Sequence, residues 1–239
     1  MLFDLRGRGR RRGIQVIYLT LAILMGGGLV LFGIGGETQG GLVDALNEDS
    51  GQSVDDTAKK SAQEAEKRTK ANPQDPKPWA DLARARYQEA GAGENFNRNT
   101  QQGFTDKGLA TLRVSTRAWE RHVTLAKDNP DDQVASLIVQ AYAALNQLDK
   151  AVSTQEIVTE QRDPSTGLYS QLAAYAYQAG QTRKGDLAAK RAIELAPKDN
   201  RVQVKAALDS AKQQAAQAAV QDAQGAGGAT PAAPSLPGG

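Results

Sequence analysis

Two adjacent stretches of this chain repeat one pattern at an offset of 34 residues, and that repetition restricts the fold more than any other feature. Thr166 to Asp199 reads as two helices and a turn. Tyr169, Leu172, Ala173 and Ala176 fall at three-to-four-residue spacing as one apolar stripe, with Tyr175 and Tyr177 flanking it. This first helix should stop at Ala179-Gly180, where glycine supplies a positive φ. Leu187, Ala188, Ala192, Ile193 and Leu195 form the second stripe, which ends at Ala196-Pro197 because proline cannot continue a helix. Asp132 to Pro164 has the same layout. There Tyr142 stands where Ala176 does, Leu148 opposite Thr182, Ala151 opposite Gly185 and Val158 opposite Ala192, and Asn146-Gln147 matches Gly180-Gln181. One helical hairpin cannot cover both of its apolar faces, so the pattern predicts stacked hairpins and an all-α fold.

The period and pattern resemble the tetratricopeptide repeat (TPR), whose unit is about 34 residues. Leu172 and Ala173 take the family's first-helix Leu-Gly pair. Ala151 and Gly185 take its small crossing residue, Ala192 its second small residue, and Pro197 its closing proline. The 132–165 unit departs from the pattern, with Ile138-Val139 for Leu-Gly and its proline one place late at Pro164. The resemblance implies a short TPR-like α-solenoid over residues 72–219, made of about three hairpins.

Composition narrows the rest. Alanine-rich content and few aromatics favour helices over a β-sandwich. With no cysteine, neither a disulfide framework nor a Cys-ligated metal site can form. The net charge of +2 is unevenly spread: residues 1–13 hold five arginines against Asp4, so the remainder is slightly acidic. That distribution argues against a nucleic-acid footprint on the folded part.

After the arginine-rich head 1–13, residues 14–36 run without a charge until Glu37, and 23 residues suffice to cross a bilayer as one helix. Tyr18 sits near one interface, where aromatic rings prefer to lie. A cleaved signal peptide shares the basic head, but its apolar core is shorter, about 7–15 residues, and exits through an Ala-x-Ala-like site. The exit here is glycine-rich. A retained single-pass anchor is therefore expected, with the arginines cytoplasmic and everything after residue 37 extracytoplasmic.

Residues 37–71 read as a Gly-rich linker followed by a charged helix from Ser53 to Lys70. Its apolar face is only Val54, Ala58, Ala62 and Ala65, which predicts a solvated helix lightly attached to the domain. In 75–91, Trp79, Leu82, Ala83 and Tyr87 give a first repeat helix, with Trp79 and Leu82 in the family's leading Trp and Leu positions. The Gly/Asn-rich stretch 91–108 then delays the second helix, Leu109 to Lys127, and reads as a loop inserted at the turn. Val202 to Ala219 should be a terminal helix with a polar outer face that caps the stack. The Gly/Ala/Pro-rich 220–239 reads as a disordered tail.

Catalysis needs a nucleophile, an acid–base pair or a metal at workable geometry. His122 is the only histidine, and Asp131-Asp132 and Asp55-Asp56 sit at helix starts, where negative charge is favourable. The chain is read as a binding protein, without enzymatic activity, cofactor or metal. By resemblance, membrane-anchored TPR proteins serve as scaffolds or chaperone-like adaptors in envelope assembly or secretion. An accessory subunit of an envelope enzyme or cytochrome-assembly complex, and a spacer without groove binding, are the alternatives.

TPR stacks line a concave wall with their first helices. Carried over, the wall positions are Lys77, Ala80, Arg84, Tyr87 and Gln88, then Gln133, Ser136, Gln140, Ala143 and Ala144, then Gly167, Ser170, Ala174, Tyr177 and Gln178. Gln140 and Ala174 stand where some relatives clamp a carboxylate, so that ligand is not expected. The resemblance implies a neutral groove for a protein or peptide segment, with Arg84, Tyr87 and Tyr177 supplying anchoring area.

Overall fold

The structure is a computed structural model that describes residues 51–97 and 103–226. The basic head, the 14–36 span, the start of the linker and residues 227–239 lie outside the described residues. Among the described residues the fold is all-α, and no helix is long and apolar enough to cross a membrane. Eight α-helices follow one another. These are α1 (Gly51–Ala71), α2 (Pro76–Ala90), α3 (Asp106–Ala126), α4 (Asp132–Ala144), α5 (Leu148–Gln161), α6 (Thr166–Gln178), α7 (Thr182–Leu195) and α8 (Arg201–Ala226). Each packs on its sequence neighbour; α2 also meets α4, and α8 lies against both α6 and α7. The result is three hairpins in series, α2–α3, α4–α5 and α6–α7, with α1 and α8 covering the two ends.

Local chemistry sets the boundaries. Asp75, Thr105, Asp131 and Ser165 each turn a side-chain oxygen onto an early backbone N–H of α2, α3, α4 and α6, satisfying donors that a helix start leaves free. The 34-residue offset holds down to the backbone. Asn146 and Gly180 both adopt positive φ, at 54° and 73°. In both turns the next amide reaches back five residues, Gln147 to the Tyr142 carbonyl and Gln181 to that of Ala176, each at 2.8 Å. This is the helix-ending motif that glycine favours and asparagine tolerates. Small residues then let the helices cross closely, as Ala151 and Ala192 have no exposed surface.

Four expectations need correction. The charged helix α1 is part of the domain: Ala58, Ala62 and Ala65 are buried, as is Thr69. Two salt bridges tie it to α2, Glu66 with Arg86 at 2.6 Å and Arg68 with Asp81 at 3.4 Å. Alanines offer little area, but they allow the backbones of α1 and α2 to approach.

The insertion is also built in. Residues 93–95 form a 3₁₀ turn, and Phe96 and Phe104 pair as an isolated antiparallel bridge with their rings edge to face at 5.1 Å. Buried Asn95 donates to the Glu89 carbonyl at 2.8 Å, and its own carbonyl accepts from the Thr105 amide at 2.9 Å. Gly108 lies against that same Asn95 carbonyl, where a Cβ would not fit. These anchors start α3 at Asp106, ahead of Leu109.

Leu187, counted in the inner stripe of α7, instead points out and is 64% exposed. Finally, α8 runs to Ala226, so residues 220–226 of the supposed tail are helical. Its Leu208 is buried while Ala207 faces solvent.

Candidate protein-binding groove

The first helices of the hairpins, α2, α4 and α6, carry the wall positions. Arg84, Tyr87 and Gln140 come together across the first two hairpins. The Tyr87 hydroxyl donates to Gln140 Oε1 at 2.9 Å, and Arg84 reaches Asp131 at 3.5 Å. Both partners of that ion pair stay partly in solvent, so it contributes little to stability. Asp131 itself is fixed, because its other oxygen caps α4 at Val134 N, 2.9 Å away. Gln140 is exposed.

The remaining positions divide. Gln88, Gln133 and Ala144 are exposed, while Ser136, Ala143, Ser170, Ala174 and Gln178 are half-buried. Ala80 and Gly167 are buried and offer nothing to a ligand. Lys77 is exposed and pairs with Asp81 at 3.7 Å. The accessible wall is thus largely carboxamide and methyl, with Arg84 as its one partly exposed guanidinium.

Tyr177 is not a groove residue. It is 6% exposed, its ring covers Gly185 of α7, and its hydroxyl donates to Asp186 at 2.9 Å. Lys212 of α8 stands 5.8 Å above the ring and bonds the same carboxylate at 2.6 Å. Burial, then the bond to Asp186, drives the phenol well above its ordinary range. Lys212 and then Tyr177 hold the Asp186 carboxyl low. The side chain therefore closes the third hairpin against the terminal helix.

Its neighbour takes the inner place. Tyr175, also 6% exposed, has its phenol pushed up to about 12, by burial first and then by the Tyr87 phenol nearby. Tyr87 is itself raised by burial. The sequence marks Tyr175 only as flanking the α6 stripe. Glycine opposite Tyr177 was the signal that one of these two tyrosines must turn inward on α7.

His122 has both ring nitrogens engaged. Nδ1 lies 2.9 Å from the Pro76 carbonyl, and Nε2 accepts the Asp131 amide at 2.9 Å. A carbonyl on one side and an N–H on the other require the neutral ring with its proton on Nδ1. This buried histidine links α3 to the starts of α2 and α4 and so sets the spacing of the wall. No protein-family model matches the chain, and no curated protein matches it either.

Proposed function

We propose that the chain is a membrane-anchored scaffold of the tetratricopeptide kind. Residues 14–36 hold it in a bilayer with the arginine head cytoplasmic, and the helical domain stands on the extracytoplasmic side. The wall formed by α2, α4 and α6 holds a neutral, partly apolar segment of another protein, in a process such as envelope assembly or secretion. The repeated hairpins with coincident turns support the architecture. The observation that carries the binding reading is the Tyr87–Gln140 bond, which joins two hairpins and sets a half-buried tyrosine beside an exposed carboxamide. A tyrosine, an arginine and exposed carboxamides suit a peptide read through its main chain and one apolar side chain.

A photo-crosslinking residue at Gln140 or Ala144 should capture the partner in intact cells, whereas one at Lys190, on α7, should not. Tyr87→Ala/Gln140→Ala, once shown to melt as the parent does, should lose the adduct. Equal capture from α7, or capture undiminished in the double variant, would remove the wall as the binding surface.

A further inference from the structure

The second helices of the hairpins form the opposite side of the domain, and there the join between α5 and α7 is open. A cleft of about 860 Å³ lies between them, floored by Tyr169 and Leu172 of α6. Lys184 and Glu156 bridge it at 2.7 Å, just as Lys150 and Glu120 bridge α5 to α3 at 2.6 Å. The two joins differ in the residue that the later helix turns to the cleft. Leu187, 64% exposed, lines this cleft, and the position 34 residues earlier is Ser153. A leucine facing water, where the sister unit has serine, extends the apolar floor of the cleft to its rim and makes a patch that a partner could cover.

The charges on the two edges indicate which partner. Along α5 the exposed stripe that contains Glu156 continues to Asp149 and Glu160; along α7 the stripe beside Leu187 is Arg183, Lys184 and Arg191, followed by Glu194, which pairs with Arg191 at 3.5 Å. One edge is acidic, and the other carries three cations against one carboxylate. A two-fold axis running along the cleft sets the acidic edge of one copy against the basic edge of another. The same operation brings the two Leu187 side chains together over the apolar floors. A surface complementary to itself under two-fold rotation is the requirement for an isologous dimer.

We propose that the α5–α7 cleft is the interface of a homodimer, centred on Leu187 and oriented by Glu160 against Arg191 of the second copy. It lies on the face opposite the wall of α2, α4 and α6, and it stands or falls independently of what that wall binds.

The test is the mass of the full chain in detergent micelles, by sedimentation equilibrium over a range of protein concentrations. The wild type should reach the mass of two chains. Leu187→Ser, which copies the sister unit, should remain at one chain with an unchanged melting temperature. Glu160→Lys and Arg191→Glu should each shift the equilibrium toward one chain, and the pair together should restore two. A wild type that stays at one chain overturns the proposal, whatever else the cleft binds. A two-chain mass retained by Leu187→Ser also overturns it, since association then runs through another surface such as residues 14–36.

Discussion

Alanine at position 185 should weaken this domain, although helix propensity argues the reverse. Gly185 lies inside α7, where replacing glycine by alanine in an unhindered helix gains about 1 kcal/mol. Here the new Cβ would run into the Tyr177 ring at Cε1 and Cδ1 and come within 3.1 Å of Cγ. Contact that extends to Cγ cannot be relieved by a swing of the ring's far end, so the whole side chain has to leave its place. Tyr177 is 6% exposed. A tyrosine buries roughly 150–250 Å², and losing half of that at about 25 cal/mol per Å² removes about 2–3 kcal/mol. The packing loss therefore exceeds the propensity gain and leaves a net destabilisation of about 1–2 kcal/mol.

Urea unfolding followed by circular dichroism should show a lower midpoint at unchanged slope. In a Tyr177→Ala background the obstruction is gone, and Gly185→Ala should then stabilise. That reversal of sign is the coupling a double-mutant cycle reports. A gain in stability in both backgrounds would refute the reasoning.

Three further outcomes are expected. The phenols of Tyr87, Tyr142, Tyr175 and Tyr177 are all raised, so the fold favours their neutral forms, and the stability they contribute is complete below the ordinary tyrosine value of about 10. It is lost as pH climbs, through about 12 for Tyr175, so phenolate absorbance should grow together with loss of helical dichroism; full phenolate formation in a still-helical protein would contradict this. The His122 ring should show a protonated Nδ1 and a bare Nε2 in nitrogen–proton correlation spectra, and the opposite tautomer would overturn its bridging role. Because the chain has no cysteine, Ser235→Cys should be labelled by an impermeant maleimide on spheroplasts and Gly7→Cys should not; the reverse pattern would place the domain inside the cell.

What was legible in the sequence was what local chemistry decides. The hairpin turns are written in Asn146 and Gly180, and the crossings in Ala151 and Ala192, because positive φ and close approach each admit few residue types. What was missed depends on which way a side chain turns once helices meet. The apolar face of α1 is too small to look like a core, yet Ala62 and Ala65 are completely buried, because short side chains let α2 draw near. Tyr177 and Tyr175 differ little as residues in a helix. The hole above Gly185 takes Tyr177, while Tyr175 is buried towards Tyr87, so neither tyrosine adds accessible surface to the wall. Leu187 fits the periodic stripe of α7 by spacing alone, but Ala188 and Ala192 already fill the crossing, so the leucine is left outside.

The joins between hairpins also differ in how they are fastened. At the first, the Tyr142 hydroxyl and Lys150 share Glu120, at 3.1 and 2.6 Å, with the ammonium 5.6 Å above the tyrosine ring. At the last, Tyr177 and Lys212 share Asp186 with the same arrangement. Tyr142 aligns with Ala176 rather than with Tyr177, so the two clamps are built from different places in the repeat. The middle join has none among the described residues. It is held by Lys184 with Glu156, by Gln181 to Asp149 at 2.7 Å, and by a long bond of 3.4 Å from Gln155 to the Leu168 carbonyl. Cation, ring and carboxylate acting together hold three side chains in one geometry, whereas an exposed ion pair holds two loosely.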